Sequence, residues 1–345
     1  VSPNYSGWEK IIDTVTHALA GAVIARCGTN KNIGKWAVAA GISAALFPDA
    51  DFFARFISQD FYLRYHRGIT TSVFLMFPVC LLLSYIFNRL SDKKHFLSFF
   101  KITVGAFLSH IFLDAVTSFG TMVLAPFSNY RVALDLLFII DLYLTGILAG
   151  TLIFSAVLKK KAVTICRLGL GVSLLYIGFC AVNHQRANNL ARQFAESRNL
   201  KYTKLASLPQ PLSPLRWANL IQTEDKIYQW LIQLDKEDST TPKLQNSSLL
   251  DDLGSKYNSP DSFKYKTWDR LPTSPWVDKA LDTRGAKFFY WFARFPVVKG
   301  IYEKNGYHRV EFFDLRFYLF ETRYPFLYIV EFDQQGKLIK EGFAV

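Results

Sequence analysis

Two kinds of hydrophobic pattern share this chain. Up to about residue 182 it carries long apolar runs with short polar breaks, and beyond that point short alternating stretches separated by polar turns. A bilayer core of about 30 Å takes roughly 17 to 25 apolar residues per spanning helix. Four runs meet that length, at about 70–88 (TTSVFLMFPVCLLLSYIFN), 102–125, 134–158 and 163–182. The stretches 11–27 and 36–54 are shorter or richer in Ala and Gly and carry acidic residues, so they read either as spans or as re-entrant helices buried among the others. The pattern predicts an α-helical integral membrane domain of four to six helices over residues 1–182.

At residue 183 the character changes. The stretch NHQRANNLARQFAESRNLKYTK is polar and helix-prone, and Pro209, Pro211 and Pro214 punctuate the start of a new region. RWANLIQT (216–223) and KIYQWLIQLD (226–235) flank a polar turn; RVEFFDLRFYLF (309–320) and FLYIVEFDQQGKLIKEGF (326–343) alternate as strands do, the last with a turn at Gln335-Gly336. Residues 240–285, rich in Ser, Asp, Lys and Pro, read as loops. The aromatic amphipathic stretch 286–296 (AKFFYWFARFP) suits either a membrane surface or the core of a domain. Residues 183–345 are therefore expected to form a β-rich (α+β) domain. No internal repeat is present.

Composition agrees with the membrane reading. Half of the 345 residues are hydrophobic, 31 are Phe and one in five is charged, too apolar for a disordered chain and unusual for a soluble enzyme. The net charge of +12 is spread over both parts, with 16 Lys+Arg against 9 Asp+Glu before residue 183 and 24 against 19 after it. No basic block interleaved with aromatics appears, which argues against a nucleic-acid partner. Cys27, Cys80, Cys166 and Cys180 lie singly in apolar runs without C-x-x-C spacing, as buried small hydrophobes do. With six crossings, eleven of the sixteen Lys and Arg of the first part fall on one side, among them Lys93, Lys94, Lys159, Lys160 and Lys161. That side should be cytoplasmic, which makes the protein multi-pass and its C-terminal domain extracytoplasmic.

Ionisable residues within spans are costly and become function candidates by default. Asp13 and His17 stand four apart on the first helix, as do His110 and Asp114 on the fourth, so each pair shares a helix face. Pro48-Asp49-Ala50-Asp51 ends the second helix, HRGITTS (66–72) precedes the third, and Asp135 and Asp141 open the fifth. In the topology set by Lys and Arg, all of these groups fall in one outer-leaflet zone. Imidazoles with carboxylates suit Zn²⁺, Mn²⁺ or Fe²⁺, as one ion or two, and such an ion would activate water and polarise an ester or phosphoryl oxygen. Arg67 would then hold an anionic substrate. Taken alone, each of these residues is more often a satisfied helix-packing residue, and Asp49 after Pro48 reads equally as a helix end. A proton or ion pathway uses the same residue types. His95, His184 and His308 fall outside the cluster and read as surface or local structural residues.

These residues resemble a known family, the bacterial membrane-bound metal-dependent hydrolases of the YdjM type. DTVTHALAGAVIAR (13–26) resembles its opening D-x-x-T-H-A-L-x-G, FPDADF (47–52) its P-D-x-D, HRGITTS its H-R-G-x-T-H-S, and GAFLSHIFLDAVTSFGT (105–121) its G-x-x-S-H-x-x-L-D-x-x-T-x-x-G. APFS (125–128) and the helix entry ending in Asp141 also fit, and PLSPLRW (211–217) is a weaker echo. The resemblance covers about residues 11–145. It implies metal binding by His17, Asp49, Asp51, His66, His110 and Asp114, with Asp13 and Asp141 as supports or alternate ligands. One position departs, Thr71 standing where the family pattern has His. Either this position lies outside the ligand set, or this member binds fewer ions or a weaker one.

The expectation is a bacterial inner-membrane hydrolase dependent on a divalent metal, zinc first and manganese or iron as alternatives. Its substrate would be an ester or phosphoester of a membrane lipid or lipid-linked envelope compound. Asp13 or Asp51 would serve as base and Arg67 as anion holder. The rival readings are an ion- or proton-coupled transporter component and a non-catalytic membrane scaffold. The oligomeric state is not legible.

Overall fold

A computed structural model describes residues 8–28, 34–56, 59–92, 95–237, 254–318 and 324–344, in two compact units, 1–181 and 182–345. In the first unit, α1 (Trp8–Cys27) and α2 (Lys35–Leu46) pack on each other and on α5 (Phe96–Ala115), and α4 (Val73–Leu90) packs on α5. Between α2 and α4 lie a 3-10 segment, Phe47–Phe56, and the short α3 (Gln59–Tyr65). The unit continues through α6 (Leu142–Val157) into α7 (Ala162–Ser197), whose last turns belong to the second unit.

Small residues let α1 and α2 approach closely. Gly21 of α1 faces Gly41 of α2, where a methyl group on either would run into the other's carbonyl oxygen. Ala40, Ala44 and Ala45 of α2 are fully buried, which gives close backbone packing rather than interlocked large side chains. Elsewhere the surface is unlike that of a soluble domain. Phe77 and Leu82 on α4, and Leu168, Leu174 and Leu175 on α7, are 57% to 76% exposed. Such a dense apolar surface requires a nonaqueous partner.

Val73–Leu90, Phe96–Ala115 and Lys159–Ser197 are long and apolar enough to cross a membrane, and Leu142–Val157 is apolar but shorter. At 12 residues, α2 reaches only about 18 Å, at about 1.5 Å per residue.

Three expected runs have different limits as helices. The run at 102–125 leaves the helix after Ala115. There the Thr117 hydroxyl donates to the Asp114 carbonyl, and residues 116–141 form an irregular segment with bridges between Thr117 and Leu137 and between Thr121 and Val132. The run at 134–158 becomes helical only at Leu142, because Asp141 caps it and its carboxylate accepts from Leu144 N at 2.8 Å. The run at 163–182 continues to Ser197, since no Pro or Gly interrupts the polar stretch after 183.

The second unit contains two antiparallel four-stranded meanders. The first comprises β1 (Lys204–Pro209), β2 (Arg216–Gln222), β3 (Lys226–Gln233) and β4 (Lys266–Asp269). Ala187, Ala191 and Phe194 of α7 pack with Trp217, Trp230 and Ile232 of that sheet. The second comprises β5 (Pro296–Lys304), β6 (Tyr307–Asp314), β7 (Tyr328–Phe332) and β8 (Leu338–Phe343), preceded by α8 (Pro275–Leu281) and α9 (Arg284–Phe292). The stretch at 286–296 is thus a core helix that runs into a strand. Phe289 lies against Phe312, Tyr328 and Phe343. The expected loop region 240–285 contains β4 and α8, and its part up to residue 253 lies outside the described residues, as do Leu319 and Phe320 of the expected strand 309–320.

Candidate metal centre

Helix spacing and one tight turn assemble the polar cluster. Asp13 and His17 come from α1, His110 and Asp114 from α5, Asp49 from the 3-10 segment after α2, and Arg67 from the turn before α4. His17 Nε2 lies 3.4 Å from Asp13 Oδ1 and 3.4 Å from Asp114 Oδ1. His110 Nε2 lies 3.2 Å from Asp114 Oδ2 and 3.8 Å from Asp49 Oδ1. The two imidazoles stack with centroids 3.9 Å apart.

Hydrogen bonding favours the metal-binding form of His110. Its Nδ1 lies 2.7 Å from the carbonyl oxygen of Ala45, which can only accept, so this nitrogen carries the proton and Nε2 of the neutral ring keeps its lone pair. Despite the short ion-pair distances, neither nitrogen of His17, neither oxygen of Asp114 nor Nε2 of His110 has a hydrogen-bond partner of acceptable geometry. Five buried orphaned atoms in one place are costly unless something else binds them.

A divalent ion fits that requirement. One donor atom from each of His17, Asp49 and His110 lies within 4.8 Å of the others, and the same holds for Asp13, His17 and Asp114. Donors at about 2.1 Å from one ion are at most about 4.2 Å apart, a limit already met by the His17–Asp114, His110–Asp114 and His110–Asp49 contacts. Charge points the same way. Three carboxylates face one guanidinium, so with both imidazoles neutral the cluster carries a formal charge of −2, which one divalent ion cancels.

Arg67 is itself buried, its side chain 4% exposed. Nη2 lies 2.9 Å from Asp13 Oδ2 and 3.0 Å from Asp114 Oδ1, and Nη1 donates to Thr117 Oγ1 at 2.8 Å. The expected anion holder is therefore engaged with the protein's own carboxylates. Its backbone has a φ of 55°, unusual for a side chain with a Cβ, and is held on both sides: Arg67 N donates to Asp51 Oδ2 at 3.1 Å and Arg67 O accepts from Met122 N at 2.8 Å.

Asp51 and His66, which the resemblance places among the ligands, belong to neither donor group among the described residues. They pair with each other instead, His66 Nδ1 to Asp51 Oδ1 at 3.0 Å, while Asp51 Oδ2 also accepts from Thr70 Oγ1 at 3.0 Å. The Thr71 hydroxyl donates to the Gly68 carbonyl and closes its own turn. Asp141 caps α6 and accepts from Tyr176 Oη at 2.8 Å, and it too lies outside the donor groups, as does Asp135. The spacing of residues gave no signal for the Ala45 carbonyl. Thr117 was visible in the motif after Asp114, though not its role beside Arg67.

Membrane-capable helices, one of which carries part of a buried His/Asp cluster, define a helical membrane protein with a candidate metal centre. The YdjM inner membrane protein family model matches residues 12–187, just over half of the chain, and the chain belongs to that family. A second model, the YfhP C-terminal alpha/beta plait domain, matches residues 275–344, which hold α8, α9 and the second sheet. Over 133 residues the chain is 26% identical to an uncharacterized protein YfhP of Bacillus subtilis (strain 168), covering 36% of this chain and 41% of that protein. The match thus spans about two fifths of the relative's length. No solved structure matches.

Proposed function

We propose that this protein is a membrane-bound metal-dependent hydrolase whose ion is held by His17, Asp49, His110 and Asp114. The observation that carries this reading is the set of orphaned buried donors, contributed by α1 and α5 and facing Asp49. A bound divalent ion, zinc first with manganese or iron as alternatives, would supply Lewis-acid polarisation of an ester or phosphoryl oxygen and activation of water. Arg67 already neutralises the Asp13 and Asp114 side, which favours one ion over two.

The protein's own groups divide the remaining work. Asp13 is 22% exposed and accepts one hydrogen bond, from Arg67, which leaves it capacity to receive a proton, whereas both oxygens of Asp51 are committed to three donors. Asp13 is therefore the general base of this proposal, and Asp51 orients His66 and fixes the Arg67 turn. Arg67 orients the two carboxylates. The substrate class is an ester or phosphoester of a membrane lipid or lipid-linked compound, because the cluster belongs to a unit with apolar flanks. The Lys and Arg distribution supports a multi-pass topology with the C-terminal domain extracytoplasmic.

The test is turnover of lipid esters and phosphoesters by the full chain in detergent with added zinc, manganese or iron. Activity removed by chelator, restored by metal and absent in Asp13→Asn supports the reading. Metal loading without turnover of any such lipid, with His110→Ala unfolding, would instead favour the scaffold.

A further inference from the structure

The irregular segment after α5 carries a surface that the cluster does not use. Leu124, Phe127 and Tyr130 are 52%, 78% and 74% exposed, and they stand on a loop rather than on a spanning helix. Single exposed apolar residues are ordinary, but three within seven positions form a patch that water disfavours. The Phe127 ring meets Phe74, in the first turn of α4, edge-on with centroids 4.9 Å apart. Phe74 is itself 49% exposed and continues into the exposed Phe77. The patch is thus continuous with the apolar surface of a membrane-capable helix, and it lies at that helix's N-terminal end, where Ser72 caps α4 and Val73 N donates to Val123 O.

The same loop is fastened to the polar cluster. Met122 N donates to the carbonyl of Arg67, the residue whose guanidinium bridges Asp13 and Asp114. At the other end of the loop, Thr121 and Val132 exchange both backbone hydrogen bonds, and the Arg131 guanidinium donates to the carbonyls of Leu63, His66 and Gly120. Gly120 has a φ of 89°, and an added Cβ would meet Arg131 Cβ at 3.0 Å, so the loop base admits little rearrangement.

We infer that residues 122–130 are an interfacial anchor, with Leu124, Phe127 and Tyr130 seated among lipid headgroups and upper acyl chains. A phenol beside apolar side chains at the end of a spanning helix suits that layer, where one end of the ring is dry and the other wet. The anchor holds the Arg67 turn at headgroup depth, and with it the Asp13 end of the cluster. This assignment holds whether or not the cluster turns over a substrate.

The experiment uses the unmodified full chain in phosphatidylcholine vesicles, labelled in parallel by a lipid-phase photoactivated carbene and by aqueous hydroxyl radicals, and read by peptide mass spectrometry. The expected result is carbene labelling of 122–130 alongside α4, with Phe127 and Tyr130 oxidised several-fold more slowly than the exposed Tyr307 of the second unit. Oxidation at the Tyr307 rate without carbene labelling would overturn the anchor in favour of a water-exposed loop. Protection from both reagents would also overturn it, by showing that protein covers the patch. A Leu124→Asp/Phe127→Asp variant should lose the loop's carbene labelling while α4 keeps its own. If that variant does not fold, the wild-type pair of measurements decides alone.

Discussion

Asp114 in the first unit and Asp314 in the second are both buried carboxylates beside an arginine, and their surroundings differ in kind. Asp314 Oδ1 accepts from the backbone N–H groups of Phe295 and Arg316, and Oδ2 from Arg294 N and from Arg316 Nε at 2.6 Å. Every lone pair there has a donor, and the Arg316 guanidinium also reaches the Phe292 carbonyl. Asp114 lies within 3.4 Å of two imidazoles and a guanidinium, yet neither of its oxygens has a hydrogen bond of good geometry. The first arrangement is complete as a structural joint between α9 and the end of β6. The second leaves bonding capacity that a further ligand could take up. Burial of charge alone does not mark a site; what sets Asp114 apart is that its unmet oxygens gather with two imidazoles in one place.

The largest expected effect breaks the satisfied side of this comparison. Asp314→Ala strands the buried Arg316 and orphans three backbone N–H groups, so the second unit should lose about 3 to 5 kcal/mol in denaturant unfolding. Metal content should not change. Asp114→Asn should do the opposite. Arg67 keeps Asp13 as a partner, so the metal-free protein should unfold at the same or a higher temperature, while metal affinity falls by more than the roughly 10- to 100-fold typical of outer partners. A metal titration followed by thermal unfolding checks both halves. Equal destabilisation by the two substitutions would erase the contrast.

Smaller effects sharpen the comparison. Gly41→Ala pushes a methyl into the Gly21 carbonyl and should cost about 1 to 3 kcal/mol by overpacking, seen as a lower unfolding temperature. Restored folding conditions should restore full metal uptake, since the lesion is steric. His66→Ala should keep its metal, with affinity reduced by about 10-fold at most, because the dyad with Asp51 supports the Arg67 turn from outside the donor groups. Loss of the ion in that variant would return His66 to the ligand set implied by family resemblance.

Much of this was legible in the residues because the physics is local. An apolar run such as 70–88 has few alternatives to a buried or spanning helix, here Val73–Leu90, and i, i+4 pairs must share a face. The alternation in 326–343 and its Gln335-Gly336 turn appear as β7, β8 and a tight turn in which Asp333 Oδ1 accepts from Gln335 N and Lys337 N. The β5–β6 hairpin is not among the expected elements, although its turn, Asn305-Gly306, both at positive φ, is the strongest short hairpin signal. Other features were not legible at all. Asp49 and Asp51 are two residues apart, and only the 3-10 geometry sends one toward His110 and the other to His66. Arg67 looked like a substrate-facing cation because nothing in a linear motif shows that two carboxylates and Thr117 already surround it.

Elemental analysis of the detergent-purified full chain, wild type beside His110→Ala, tests the central claim most directly. The account predicts about one equivalent of a divalent transition metal in the wild type and none in the variant, with equal helical content by circular dichroism. A wild-type protein that stays metal-free after incubation with zinc, manganese and iron would contradict it.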